Sequence, residues 1–195
     1  MTCALVAPPA APDLVDHAVA ETRRGRPVVV SAGSQGAVLV AAAAGIEPAT
    51  VAFLVRYGSG FLEAAAPEAT LAALDLAPAW GRSARTVPFD AAHGVTTGIS
   101  ATDRARTLAV LADPGSRPVD LTRPGHVVAT TVRPGRAGAP EAASALAELA
   151  GLGPVAVTCT LLDEETGDLV PPSSAAAFAR VEGLAFLAVT DLITR

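Results

Sequence analysis

The stretch Asp90-Ala91-Ala92-His93-Gly94-Val95-Thr96-Thr97-Gly98-Ile99-Ser100-Ala101-Thr102-Asp103-Arg104 carries the most structural information in the chain. Residues Arg85 to Asp90 alternate as a strand does. Ser100, with Asp103 three residues later, forms a capping box, so a helix should start there and run to about Ala112. Asp113-Pro114-Gly115 ends it. Between strand and helix, Thr96, Thr97 and Gly98 make a turn that can offer hydroxyls and backbone N–H groups to an oxyanion. The Ser100 end of the helix has a dipole that favours negative charge, and Arg104 and Arg106 stand near the same end. Two readings stay open on physics alone: a phosphate or carboxylate site, or a capped loop and helix with no ligand.

Outward from this unit, helices and strands mix without strict alternation. Towards the N-terminus the expected elements are a helix from Pro12 to Arg24, strands at Val28–Val30 and Val38–Val40 around a small-residue turn, a helix from Pro48 to Arg56, a short strand at Phe61-Leu62 and a helix from Pro67 to Leu74. Towards the C-terminus they are a strand from His126 to Val132, a helix from Pro140 to Ala150, a strand from Pro154 to Leu162, a polar turn at Asp163–Asp168, a helix from Ser173 to Arg180, a strand from Leu184 to Val189 and a terminal turn at Asp191–Thr194. The order fits an α+β fold, a three-layer-type sandwich with a mixed sheet, better than a doubly wound one. No repeat or long linker appears, so residues 1–195 are read as a single domain.

Composition narrows the function. Hydrophobic residues reach 51% and aromatic residues only 4%, so the core is built from Ala, Val and Leu and requires close backbone approach. The chain has no Lys, which excludes Schiff-base chemistry on a lysine. A net charge of −5 without a basic stripe argues against nucleic acid. The sequence shows no membrane-spanning run, no basic region in Met1-Thr2-Cys3-Ala4, and in Cys3 and Cys159 no disulfide framework, so a cytoplasmic location is expected.

The run from Asp90 to Arg104, followed by Arg106-Thr107 and by Arg123-Pro124-Gly125-His126-Val127, resembles the 3,4-dihydroxy-2-butanone 4-phosphate synthase family. The family pattern is D-A-A-x-G-V-T-T-G-I-S-A-x-D-R-A-x-T and then R-P-G-H-V. Weaker similarity includes Arg56-Tyr57-Gly58-Ser59-Gly60 and Ala188-Val189-Thr190-Asp191-Leu192-Ile193. The resemblance implies the family's α+β sandwich, a homodimer with pockets near the subunit interface, and a small anionic, including phosphorylated, substrate. The family converts ribulose 5-phosphate to the butanone phosphate and formate with Mg²⁺.

The pattern breaks where that chemistry needs hard oxygen ligands and a base. The family's loop D-D-E-D-R-E-N-E-G-D corresponds to the shorter Ser31-Ala32-Gly33-Ser34-Gln35-Gly36-Ala37, and no acid lies between Glu21 and Glu47. The R-x-G-H-T-E block corresponds to Arg136-Ala137-Gly138-Ala139-Pro140-Glu141, so Ala139 replaces the metal-binding His. The late catalytic Glu becomes Thr160, after Cys159, and the Cys of R-x-G-x-G-x-x-C becomes Glu63. No metal site and no cofactor are expected.

The candidate catalytic groups are Asp90, His126 and Glu63. Asp90 is the best surviving carboxylate for acid–base work. His126 is either an acid or base facing the pocket or a solvated or core histidine, and Glu63 is a possible replacement base. The candidate substrate-binding residues are Thr96, Thr97, Ser100, Asp103, Arg104 and Arg136, the last because the resemblance gives that position a hold on substrate phosphate. Three functions are open: a repurposed, metal-independent lyase, isomerase or cyclase on a small anionic substrate; a non-catalytic paralogue acting as a binding or partner subunit; and residual synthase activity. The enzyme reading leads, with parent activity weak or absent.

Overall fold

The computed structural model describes residues 11–193. Met1-Thr2-Cys3-Ala4 and Thr194, which carried expectations above, lie outside them.

Helix α1 (Ala11–Arg23) leads into β1 (Val28–Ser31), which turns at Gly36 into β2 (Ala37–Ala42). Helix α2 (Pro48–Tyr57) is followed by β3 (Gly58–Pro67), α3 (Glu68–Ala73), β4 (Phe89–Ala91), α4 (Ala101–Ala112) and β5 (Leu121–Val132). Helix α5 (Ala139–Leu149), β6 (Ala156–Leu161), α6 (Pro172–Glu182), β7 (Ala185–Ala188) and α7 (Val189–Ile193) complete the order.

The strands form one seven-stranded mixed sheet in the order β4-β5-β3-β6-β2-β1-β7. β1 pairs with β7 and β3 with β5 in parallel, and the other neighbours are antiparallel. Helices cover both faces. Val51 and Leu54 of α2, Leu71 of α3, Leu108 and Leu111 of α4 and Ala175 of α6 pack with Leu39, Leu62 and Val157 on one side. Val15 and Ala18 of α1, Ala143 and Leu146 of α5 and Leu192 of α7 pack with Val28, Val40 and Ala156 on the other. A sheet covered on both faces explains why every residue of β2 is buried and why no alternation shows there. Truncating a core side chain such as Leu39, Leu62 or Leu146 is worth about 2–5 kcal/mol.

The α+β sandwich stands as expected, but some bounds shift. β3 runs for 10 residues rather than Phe61-Leu62. Its Ala64-Ala65-Ala66 segment has weak strand propensity, and burial between β5 and β6 overrides it. Only Phe89–Ala91 forms a regular strand where Arg85 to Asp90 was expected, because Pro88 cannot donate to a ladder; Thr86 and Arg85 make isolated bridges to Pro78 and Thr130. β5 starts at Leu121, ahead of the Pro124-Gly125 pair that reads as a break. The pair coincides with a register shift between Phe89 and Asp90. A Cβ on Gly125 would overlap the backbone of Phe89, so only glycine permits this crossing. The terminal turn is instead helix α7, with the Ala188 N–H donating to Asp191 Oδ2 at 2.8 Å.

Candidate functional site

Strand β4, the loop after it and the first turn of α4 converge on β5. Asp90 is buried in the middle of β4. Its Oδ1 accepts the backbone N–H of His126 at 2.9 Å, and its Oδ2 lies 2.7 Å from Nδ1 of the same residue. Two contacts from one carboxylate fix both the backbone and the ring of His126. An ionised carboxylate is an acceptor only, so this contact places a proton on Nδ1 of the ring. The His126 side chain is 37% exposed and Asp90 only 8%, so the imidazole is open to a ligand from one side while its partner is shielded. The ring of His126 is therefore held by Asp90 and partly open to solvent.

The loop above the pair is organised by Asp103. Its carboxylate accepts from the Thr96 backbone N–H at 3.1 Å, the Thr96 hydroxyl at 2.8 Å and the Gly98 N–H at 3.0 Å. These bonds hold the Asp103 carboxyl below its ordinary range, the Thr96 N–H and hydroxyl contributing most. The Asp103 N–H in turn donates to Ser100 Oγ at 3.0 Å, capping α4. The oxygens of Asp103 are thereby engaged in shaping the loop, and so is the Ser100 hydroxyl as a cap. Thr97 is exposed at the tip, and Thr96 donates its hydroxyl inward.

Arg104 is buried at the start of α4, under β3. It is 6% exposed, its Nη1 donates to the Gly60 carbonyl at 3.0 Å, and its Nε is buried without a partner. Glu63 stands across from Val128 on β5, two residues beyond His126. Its Oε1 accepts from Arg85 Nε at 2.5 Å and from the Thr130 hydroxyl at 2.8 Å. Glu63 therefore reaches the neighbourhood of the pair already neutralised by Arg85, a partner that no spacing in the sequence reveals. The guanidinium of Arg85 gains from it: the hydrogen bond and charge of Glu63 raise its pKa above the ordinary arginine value.

Arg136 lies elsewhere. It is exposed in the loop after β5, in a shallow recess with Val132, Arg133, Glu141 and Leu192. Glu141 braces this loop by accepting the Arg133 N–H at 3.1 Å. The strand between His126 and Val132 spans about 20 Å at its usual rise, so one chain does not bring Arg136 to the imidazole.

Comparison with known proteins then identifies the lineage. A family profile described as 3,4-dihydroxy-2-butanone 4-phosphate synthase matches residues 16–195. The chain belongs to the 3,4-dihydroxy-2-butanone 4-phosphate synthase family. Riboflavin biosynthesis protein RibBA of Salinispora arenicola is 40% identical over 193 residues, covering 92% of this chain and 46% of that protein. The probable bifunctional riboflavin biosynthesis protein RIBA 1, chloroplastic, of Oryza sativa subsp. japonica is 37% identical, with 92% and 36% covered. The chain thus spans less than half the length of these curated relatives. The crystal structure of the Candida albicans synthase superposes with a TM-score of 0.87 at 34% identity, covering 92% of this chain and 95% of that one. A synthase crystallised with two magnesium ions gives 0.80 at 34% identity, covering 95% of each.

The residues present do not suit such an ion. The β1–β2 turn, residues 31–37, holds no Asp or Glu. Glu21, the nearest preceding acid, is buried in ion pairs with Arg24 and Arg26. Among the described residues no three of His, Cys, Asp and Glu gather in a ligand cluster. A hard divalent cation needs such oxygens. Among them, too, no helix is long and apolar enough to cross a membrane.

Proposed function

We propose that this family member is a repurposed, metal-independent lyase, isomerase or cyclase acting on a small anionic carbonyl compound, with His126 as the general acid–base. The observation that carries the reading is the Asp90–His126 pair, a buried carboxylate holding a part-exposed imidazole in a chain whose β1–β2 turn has no carboxylate for a cation. Asp90 holds the Nδ1 proton, and Nε2 takes a proton from carbon next to the substrate carbonyl and returns it in the product. Thr97, exposed at the tip of the loop, faces the anionic end of the ligand. The resemblance implies a homodimer, and exposed Phe61 and Ile99 near the loop supply apolar surface for it. Pairing would offer a route for Arg136 of one copy to meet the His126 region of the other. Cysteine usage favours a cytoplasmic setting.

The 40% identity to a riboflavin biosynthesis protein favours a second reading, the synthase reaction itself. One experiment separates them. The protein is incubated with ribulose 5-phosphate and a panel of sugar phosphates in D₂O, with EDTA or with Mg²⁺. Deuterium incorporation at carbon in EDTA, lost by about 10²–10⁴-fold in His126→Gln, is expected. Formate release from ribulose 5-phosphate that requires Mg²⁺ supports the synthase and overturns the proposal. Tight binding without exchange or turnover overturns it in favour of a binding subunit.

A further inference from the structure

Arg85 reaches across a strand. Its backbone makes an antiparallel bridge to Thr130 of β5. The other edge of Thr130 is taken by Ala65 of β3, so the segment carrying Arg85 runs on the β4 side of β5. Its guanidinium nevertheless meets Glu63, which belongs to β3: Nε donates to Oε1 at 2.5 Å. The side chain therefore lies over β5, on the face where the Thr130 hydroxyl donates to the same Glu63 oxygen at 2.8 Å. Successive side chains of a strand alternate between its faces, so Thr130, Val128 and His126 share that face. Val128 is the register partner of Glu63, and His126 lies two residues, about 7 Å, further along β5.

The guanidinium is held there without being used up. On either side of Arg85 the backbone is fixed, the Thr86 N–H donating to the Ala129 carbonyl and the Thr131 N–H to the Ala84 carbonyl, each at 2.9 Å. Glu63 grips Nε, and among the described residues neither Nη has a hydrogen-bond partner. The Arg85 side chain is the outer member of the pair and Glu63 the inner one. A guanidinium offers five N–H donors in a planar fork, and its two Nη groups match two oxygens of a carboxylate or a phosphate. Fixing Nε beforehand removes part of the ordering that such a contact costs. Arg82, in the turn just before, is exposed and has no such anchor among the described residues. Glu63 stands where the pattern R-x-G-x-G-x-x-C has its Cys, so the anchor belongs to this chain rather than to the pattern.

We propose that Arg85 is a substrate-binding residue beside His126, its Nη pair receiving a second oxyanion group, a carboxylate or a phosphate, along β5 from the imidazole. Thr97 adjoins Gly98, which lies against Asp90 and Nδ1 of His126, so the loop stands on the Asp90 side of the ring. Arg85 stands on its Val128 side. The substrate is thereby narrowed to a short carbonyl compound with an oxyanion group at each end and its reacting carbon at Nε2. The inference rests on the acid–base reading above, yet its first test does not need turnover.

That test is a titration with inorganic phosphate, followed by NMR of the wild-type full chain labelled with ¹⁵N-arginine. A saturable displacement of the Arg85 Nε–Hε resonance is expected, with no comparable displacement of Arg82. An Arg85 resonance that phosphate leaves in place overturns the proposal and makes the residue a structural ion pair only. Equal displacement of Arg82 overturns it too, because anions would then be drawn to any exposed arginine. No variant has to fold for either result. In Arg85→Gln, the KM of any substrate found in the exchange screen should rise about tenfold or more with kcat little changed, since a charged hydrogen bond is lost from binding alone. Exchange with an unmoved KM in Arg85→Gln would overturn the oxyanion site while leaving His126 as the acid–base. Displacement of Arg85 by phosphate without any exchange in D₂O would refute the acid–base reading and leave the oxyanion site standing.

Discussion

Gly98 lies directly over Asp90. It adopts φ +87°, and a Cβ built there would overlap Asp90 Oδ2 and crowd Nδ1 of His126. The glycine thus serves two needs at once, a left-handed backbone and a gap for the carboxylate–imidazole contact. Gly98→Ala is expected to cost about 1–3 kcal/mol from backbone strain alone, read as a shift of the urea midpoint. It should also displace the His126 ring resonances, which a purely distant loss of stability would leave in place.

Asp103 gives the molecule an acid-sensitive loop. Its folded-state pKa is lowered, first by the Thr96 bonds and then by Gly98 and Ser100. A lowered carboxyl means that the unfolded chain takes up the proton first as pH falls. The stabilisation is complete above the ordinary aspartate range of about pH 4, declines as pH drops through that range, and is gone below the folded value. Asp103→Asn should therefore melt lower than wild type at pH 7, and the gap should close on acidification. Asp163, lowered by Thr166 and Glu165, adds to the acid limb of wild type and is unchanged in the comparison.

The sequence made the Asp90-to-Arg104 unit legible because cap, turn and glycine signals are local. Ser100 caps α4 at the residue where the pattern placed it. His126 was legible as a candidate, but not its state, because Asp90 lies 36 residues away and only the pairing of β4 with β5 joins them. The burial of Arg104 was hidden for a related reason: its place near a helix start says nothing of β3, whose Gly60 carbonyl accepts from it. The length of β3 was hidden by its alanines, whose strand state comes from neighbours on both sides rather than from propensity.

Cys159 should be chemically silent in the folded protein. It is fully buried on β6, and burial raises its thiol pKa against the opposing pull of Ser59, Gly60 and Arg104. The thiolate is the reactive form, so both access and ionisation protect it. In a Cys3→Ser background, modification by a thiol reagent under native conditions should run at least about a hundredfold slower than in denaturant, since it must await opening of the sheet. Labelling at the unfolded rate in buffer would contradict the buried placement.

Glu63 is paired with Arg85, whereas Asp90 is paired with His126. The Arg85 side chain is 54% exposed and Glu63 only 20%, so solvent screens the pair and a double-mutant cycle of Glu63→Gln and Arg85→Gln should give a coupling of no more than about 1 kcal/mol. That modest energy is still enough to keep the carboxylate engaged, with the Thr130 hydroxyl on the same oxygen. A base must present a lone pair to carbon, and in the proposed role His126 does so through Nε2, the nitrogen turned away from Asp90. Turnover on any substrate found in the exchange screen should therefore fall less than about tenfold in Glu63→Gln and by about 10²-fold or more in His126→Gln. The reverse order of losses would transfer the base role to Glu63 and make Arg85 its regulator.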